Sequence, residues 1–95
     1  MARVQTSKDT QTQRYEARID GDLAGFAEYE LSGDVIVFTH TEVSDAYEGE
    51  GVGSTIARFA LDDARSEGFL VVPQCDFIRG WIDKHPEYAD LVAED

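Results

Sequence analysis

The sequence predicts one compact α/β domain: an antiparallel meander, a strand-helix-strand crossover to a parallel strand, and a C-terminal helix. Three observations predict it. The first half holds runs of Val, Ile, Phe, Tyr and Thr cut by glycine-aspartate turns. A glycine-rich segment then opens a stretch with apolar residues at helical spacing, and a short apolar run ending at Pro73 precedes a second helical pattern. Ninety-five residues, 42% of them hydrophobic, supply one core and fall short of two domains.

Taken in order, residues 1–12 are polar, rich in Thr and Gln and without apolar periodicity, so they are expected to form an irregular tail, with the ordered domain over 13–95. Gln13 to Ile19 and Leu23 to Leu31 read as antiparallel strands, because Asp20, Gly21 and Asp22 supply the positive-φ and side-chain-capped positions of a hairpin. Ser32, Gly33 and Asp34 turn the chain into a third strand, Val35 to Val43. Val52, Ile56, Phe59, Ala60 and Ala64 predict a helix from about Gly51 to Glu67, with Gly68 suited to follow its end. Phe69 to Val72 is then a buried strand closed by Pro73, and the crossover is expected to be right-handed with its last strand parallel. Asp76 is expected to cap a second helix with Phe77, Ile78, Trp81 and Ile82 on one face, stopped by His85-Pro86.

Twenty acidic residues against eight basic ones give a net charge of −12, which argues against a nucleic-acid partner, since such affinity comes mainly from Lys and Arg on phosphates. The acidity fits either attraction of a cationic substrate or solubility in a salt-rich, halophilic cytoplasm. No apolar run is long enough to cross a bilayer and no signal-like start is present, so a soluble cytoplasmic protein is expected. Two histidines and a lone cysteine at unrelated spacings form no recognisable ligand set, and no metal is expected. Oligomeric state is not legible.

Ligands of open sheets gather at the carboxyl ends of parallel strands. Two such ends are expected here, His40-Thr41-Glu42-Val43 and Val72-Pro73-Gln74-Cys75, which would bring His40 and Cys75 to one rim. Between them Glu48-Gly49-Glu50-Gly51-Val52-Gly53 runs into a helix, and its backbone N–H groups, with the positive end of the helix dipole, can cradle a phosphate. The same turn also serves as a plain flexible connection. It lacks the GxGxxG spacing and repeated βαβ context of a dinucleotide fold.

The run His40-Thr41-Glu42-Val43, the spacing of Tyr47, Gly49, Gly51 and Gly53, the tripeptide Pro73-Gln74-Cys75 and the terminal His85-Pro86-Glu87-Tyr88 together resemble the short YJDJ-type branch of the GNAT N-acetyltransferase superfamily. The resemblance spans roughly Tyr15 to Leu91. It implies a trimmed GNAT domain that takes acetyl-CoA as co-substrate between two splaying parallel strands and passes the acetyl group to an unidentified amine. By that resemblance the backbone of Thr41, Glu42 and Val43 pairs with the pantetheine arm, and Gly49, Glu50, Gly51, Val52, Gly53 and Ser54 hold the pyrophosphate. Cys75 becomes the acyl acceptor and His40 the base. Glu48 and Glu50 depart from the family, whose turns usually carry Arg or Gln there, and each carboxylate opposes phosphate by about 1 kcal/mol before screening. Arg58 and Arg79 are the nearby sources of compensating charge.

Each of these residues also has a plainer reading. Cys75 serves equally as buried filler, His40 as a satisfied strand-end residue and Glu42 as a solvated carboxylate that either orients His40 or attracts a cation. His85 reads as a helix-end cap, and Phe77, Trp81 and Tyr88 read as core or an oligomer face. A standard GNAT domain shapes its acceptor site with N-terminal helices, and residues before Gln13 cannot form them. A CoA-binding or interaction module with little turnover is therefore the alternative to an enzyme, and a Cys-His hydrolase ranks last for want of a third orienting residue.

Overall fold

In the computed structural model, which describes residues 4–93, a five-stranded sheet in the order β1-β2-β3-β4-β5 packs one face against two helices. Strand β1 is Gln5–Asp9, β2 Arg14–Ile19, β3 Asp22–Ser32, β4 Val35–Val43 and β5 Leu70–Pro73; helix α1 is Val52–Glu67 and α2 is Asp76–Lys84. The first four strands are antiparallel neighbours and β5 joins β4 in parallel. Short 3-10 turns cover Asp45–Tyr47 and Pro86–Leu91.

The irregular tail expected over residues 1–12 is corrected from Gln5 onward. Gln5–Asp9 pairs along its length with Arg18–Arg14 of β2 and makes the meander four-stranded, while residues 1–3 lie outside the described residues. Hairpin β2–β3 closes on Asp20 and Gly21, both at positive φ (52° and 86°), the two-residue turn whose twist suits antiparallel strands. The core is built on Tyr15, Ile36, Phe38, Val52, Ile56, Leu61, Val71 and Ile78, all fully buried. Ala57, Ala60 and Ala64, also fully buried, present small side chains on α1 that bring the helix close to the sheet.

Two irregularities position the site. Glu28 pairs with His40 but Tyr29 with Phe38, so Thr39 is an extra residue on β4. Before this bulge Ile36 and Phe38 face the helices. After it Thr41 and Val43, opposite Ala27 and Gly25, take over that face, and His40 and Glu42 turn to the other. The uninterrupted alternation of Phe38, His40 and Glu42 in the sequence implies one shared face for the three, and the bulge overturns it. The second irregularity is length: β5 pairs only with Val35–Phe38, so Thr39–Val43 have β3 on one side and no strand on the other.

Along the edge of β5 away from β4 the C-terminal segment returns, with Val92 bridging Val71 in parallel and the Ala93 N–H donating to the Val71 carbonyl at 2.8 Å. Among the described residues no helix is long and apolar enough to cross a membrane.

Candidate active site

Where β4 outruns β5, three elements meet. The first is the free edge of Thr39–Val43, whose unpaired backbone groups can accept an added extended chain. The second is the turn leading into α1. Gly49 and Gly51 hold positive φ of 83° and 77°, conformations that L side chains resist, and Gly51 serves as the N-cap without any side-chain hydrogen bond. Helix geometry therefore leaves the N–H groups of Val52, Gly53 and Ser54 without intrahelical acceptors, at the positive end of the dipole. The first helical bond closes one residue later, Thr55 N–H to the Gly51 carbonyl at 3.0 Å. Tyr47 ties the turn to the β2–β3 hairpin through Asp22 at 3.2 Å.

The third element is Cys75. Its N–H extends the β4–β5 ladder by donating to the Phe38 carbonyl at 3.0 Å, and its own carbonyl starts α2 by accepting from the Arg79 N–H. Cys75, rather than the expected Asp76, is thus the N-cap, and Asp76 is the first helical residue with its carboxylate 3.3 Å from Arg79. Cys75 is 9% exposed, and its thiol donates to the Thr41 hydroxyl at 3.2 Å. A sulfur at a helix N-terminus sits where negative charge is favoured.

The structure brings Cys75, Thr41, Val43 and the turn of Gly49, Glu50, Gly51, Val52, Gly53 and Ser54 to one end of the sheet. His40 is not on Cys75's side of it: the bulge turns its ring to the helix-free face, 6.1 Å from the Phe26 ring and with Nε2 3.3 Å from Glu42 Oε1. Both side chains are more than half exposed. Val52 is buried in the core, so only its backbone is available to a ligand. The Ser54 hydroxyl is engaged by Trp81 Nε1 at 3.0 Å.

Both arginines have partners of their own, and Arg58 borders the Ser54 end of the turn. Arg79 is held by Asp76 and the Pro73 carbonyl, and Arg58 lies 5.3 Å from the Trp81 ring centroid with Nη1 3.4 Å from the Tyr88 hydroxyl. Glu48 and Glu50 stand exposed beside it. His85 acts as the helix end expected of it, donating from Nδ1 to the Trp81 carbonyl at 2.7 Å and stacking on that indole at 3.7 Å. Trp81 and Tyr88 are core, whereas Phe77 is 41% exposed and lies against Gly53.

Sequence reasoning assigned Thr41 a backbone role and missed its side chain as the partner of Cys75. Only the bulge makes that contact, and no glycine or proline near Thr39 announces a bulge. Among the described residues no group of three or more His, Cys, Asp and Glu side chains is arranged to hold a metal ion.

A family model described as GCN5-related N-acetyl-transferase matches residues 14–91. Protein NATD1 of Mus musculus and that of Gallus gallus are each 33% identical to the chain over 86 residues, which cover 87% of this chain and 77% of theirs. A GCN5-like protein from Staphylococcus aureus, solved by NMR, superposes with a TM-score of 0.74 at 20% identity, covering 100% of this chain and 93% of that one. A ribosomal-protein-alanine N-acetyltransferase from Brucella melitensis biovar Abortus 2308 gives 0.59 at 21% identity, covering 86% and 62%. At these identities the two structures establish the fold.

Proposed function

The chain belongs to the GCN5-related N-acetyltransferases, and from that premise we propose that it binds acetyl-CoA at the free end of β4 and transfers the acetyl group to an amine through Cys75. One observation carries the reading: the uncapped start of α1, the unpaired edge of Thr39–Val43 and the N-cap sulfur converge at one end of one strand pair. The residues fit the co-substrate in kind. Backbone groups of Thr41, Glu42 and Val43 meet the amides of a pantetheine arm as a strand would, and Gly49 to Ser54 offer N–H groups to its pyrophosphate. Glu48 and Glu50 oppose that anion, which makes binding sensitive to salt.

Acetyl-CoA supplies an activated thioester. Cys75, deprotonated, attacks its carbonyl carbon; the bond to the CoA sulfur breaks, and the acetyl group rests on Cys75 as a thioester of similar energy. Thr41 steadies the sulfur, its hydroxyl accepting from the thiol and donating to the thiolate. We take the amine to reach the acetyl-cysteine through the opening beside Thr39–Val43, which β5 does not cover. At the far side of that opening His40, oriented by Glu42, takes the amine's proton while the Cys75 thiolate departs.

Incubation with acetyl-CoA tests this. One acetyl group is expected on Cys75 by intact-mass analysis, removable by hydroxylamine, with CoA released on addition of an accepting amine. Full transfer by Cys75→Ala would reduce the sulfur to packing and leave direct attack by the amine. CoA binding with no release for any amine in a broad panel would favour a binding module.

A further inference from the structure

The face of the sheet opposite α1 and α2 is left without a covering layer. Ile36, Phe38 and Val71 are fully buried under the helices, so the residues that alternate with them, Val35 and Val37 of β4 and Leu70 and Val72 of β5, lie on the other side. The register sets Val35 beside Leu70 and Val37 beside Val72, which joins the four into one apolar stripe. None of them belongs to the core cluster, and Leu70 is 43% exposed. Single apolar residues on a surface are ordinary, whereas a contiguous patch on paired strands marks a place of contact.

Carboxylates border this stripe. Glu30 lies opposite Val37 and Glu28 opposite His40, and neither has a salt-bridge partner among the described residues. Arg14 and Arg18 of the same face both hold the buried Glu16, so the charge left over beside the stripe is negative. From Val35 to His40 the strand runs roughly 15 Å, a span that suits an extended chain and exceeds a small amine. A second copy of this chain would match the stripe but not the charge, since each copy brings a net charge of −12.

We propose that the helix-free face docks a basic polypeptide segment, with its apolar side chains on the stripe of β4 and β5 and its Lys or Arg side chains at Glu28 and Glu30. That the segment also carries the accepting amine rests on the reading of Cys75 and His40 given above; the docking itself does not.

Fluorescence anisotropy with three labelled peptides tests it, one alternating Lys with Val, one Glu with Val and one Lys with Gly. The Lys-Val peptide is expected to bind roughly tenfold or more tighter than either of the others. Glu28→Gln with Glu30→Gln weakens it by roughly five- to tenfold, and Leu70→Ser by several-fold, each with a melt to show the variant folded. Val37→Thr, which keeps strand propensity, replaces Leu70→Ser if that variant does not fold. Glu67→Gln with Asp83→Asn removes the same charge from the exposed surface of the helices and leaves binding within roughly twofold. Equal loss in the two double variants, or equal binding of the Lys-Gly peptide, reduces the effect to net charge and overturns the docking. A dimer seen by sedimentation of the protein alone and dissolved by Leu70→Ser gives the stripe to a second copy and overturns it as well. With acetyl-CoA present, the Lys-Val peptide is expected to be acetylated at a lower KM than butylamine. Equal KM values overturn the docking and leave the transfer reading standing, whereas docking without acetylation of any amine upholds the face and overturns that reading.

Discussion

The Cys75 thiol donates to the Thr41 hydroxyl at 3.2 Å, joining the N-cap of α2 to the unpaired stretch of β4. In Thr41→Val the shape is kept and the hydroxyl removed, so a thiolate at Cys75 loses a donor worth roughly tenfold in reactivity. Alkylation by iodoacetamide, followed by intact mass at fixed pH, is expected to slow by that order with the melt little changed. An unaltered rate would mean that Thr41 merely fills space.

Because the bulge at Thr39 sends His40 to the helix-free face, the two proposed half-reactions are expected to respond differently to its loss. His40→Gln is expected to leave acetylation of Cys75 by acetyl-CoA intact while lowering transfer to amine by roughly a hundredfold. Single-turnover mass spectrometry separates the steps. Collapse of Cys75 acetylation itself would show that the imidazole serves the thiol.

The exposed Glu48 and Glu50 flank the start of α1. Affinity for CoA is expected to hold or rise as salt increases from low concentration, since screening removes repulsion before it harms short hydrogen bonds. The double change Glu48→Arg and Glu50→Arg is expected to tighten low-salt binding by roughly tenfold or more, with the gain shrinking toward molar salt. Melts at each salt concentration separate this from unfolding driven by the net charge of −12. An unchanged low-salt affinity would send the phosphates elsewhere.

Asp63 joins α1 to the sheet, accepting from Lys8 Nζ at 2.9 Å and Tyr15 Oη at 2.7 Å. Burial works against ionisation of Asp63, but the two hydrogen bonds outweigh it and hold the carboxyl below its usual 3.8. Its contribution is therefore present above about pH 4 and is lost as pH falls through the lowered value. For Tyr15, burial and the Asp63 hydrogen bond both push the phenol up; for Lys8, burial is outweighed by Asp63 and the ammonium also titrates above its usual 10.5. Both contribute below pH 10 and fade as pH climbs. Asp63→Asn is expected to lower the neutral-pH melting temperature by roughly 5 °C and to flatten the acid limb. A mutant whose acid limb matches the wild type would locate acid sensitivity in other carboxylates.

Gly25 lies on β3 under the start of α1, where a Cβ would stand 2.8 Å from the Glu42 carbonyl oxygen and 3.1 Å from Val52 Cγ1. The first obstacle is backbone, which cannot swing aside. Gly25→Ala is expected to cost about 1–3 kcal/mol in denaturant melts and to weaken CoA binding by parting β4 from α1. A neutral effect on both would mean that this end of the sheet is looser than its packing implies.

The elements legible in the sequence are those whose pattern is local. Asp20-Gly21 announced its hairpin, Val35 to Val43 its strand, and Val52, Ile56, Ala60 and Ala64 the buried face of α1. Strand β1 was not legible, because Gln5–Asp9 is a polar edge held by pairing on one side and by Lys8 reaching Asp63, 55 residues away. The bulge was not legible because Phe38, His40 and Glu42 alternate without interruption, and the extra residue shows only against Glu28 and Tyr29 of β3. Within the candidate site, the position of the glycine turn before α1 and of Cys75 after β5 could be read from the sequence. The face on which His40 lies could not.

On the proposed reading the protein is exposed to its own activated acetyl reagent, and its amines are the groups at risk. This chain has two lysines, and Lys8 is sequestered: Asp63 grips its ammonium, and the rings of Tyr15, Tyr29 and Phe69 lie 5.5, 5.8 and 5.9 Å from it. Kept protonated well above neutral pH, Lys8 has no lone pair to offer an electrophile, and stray acylation of the lysines is left to Lys84.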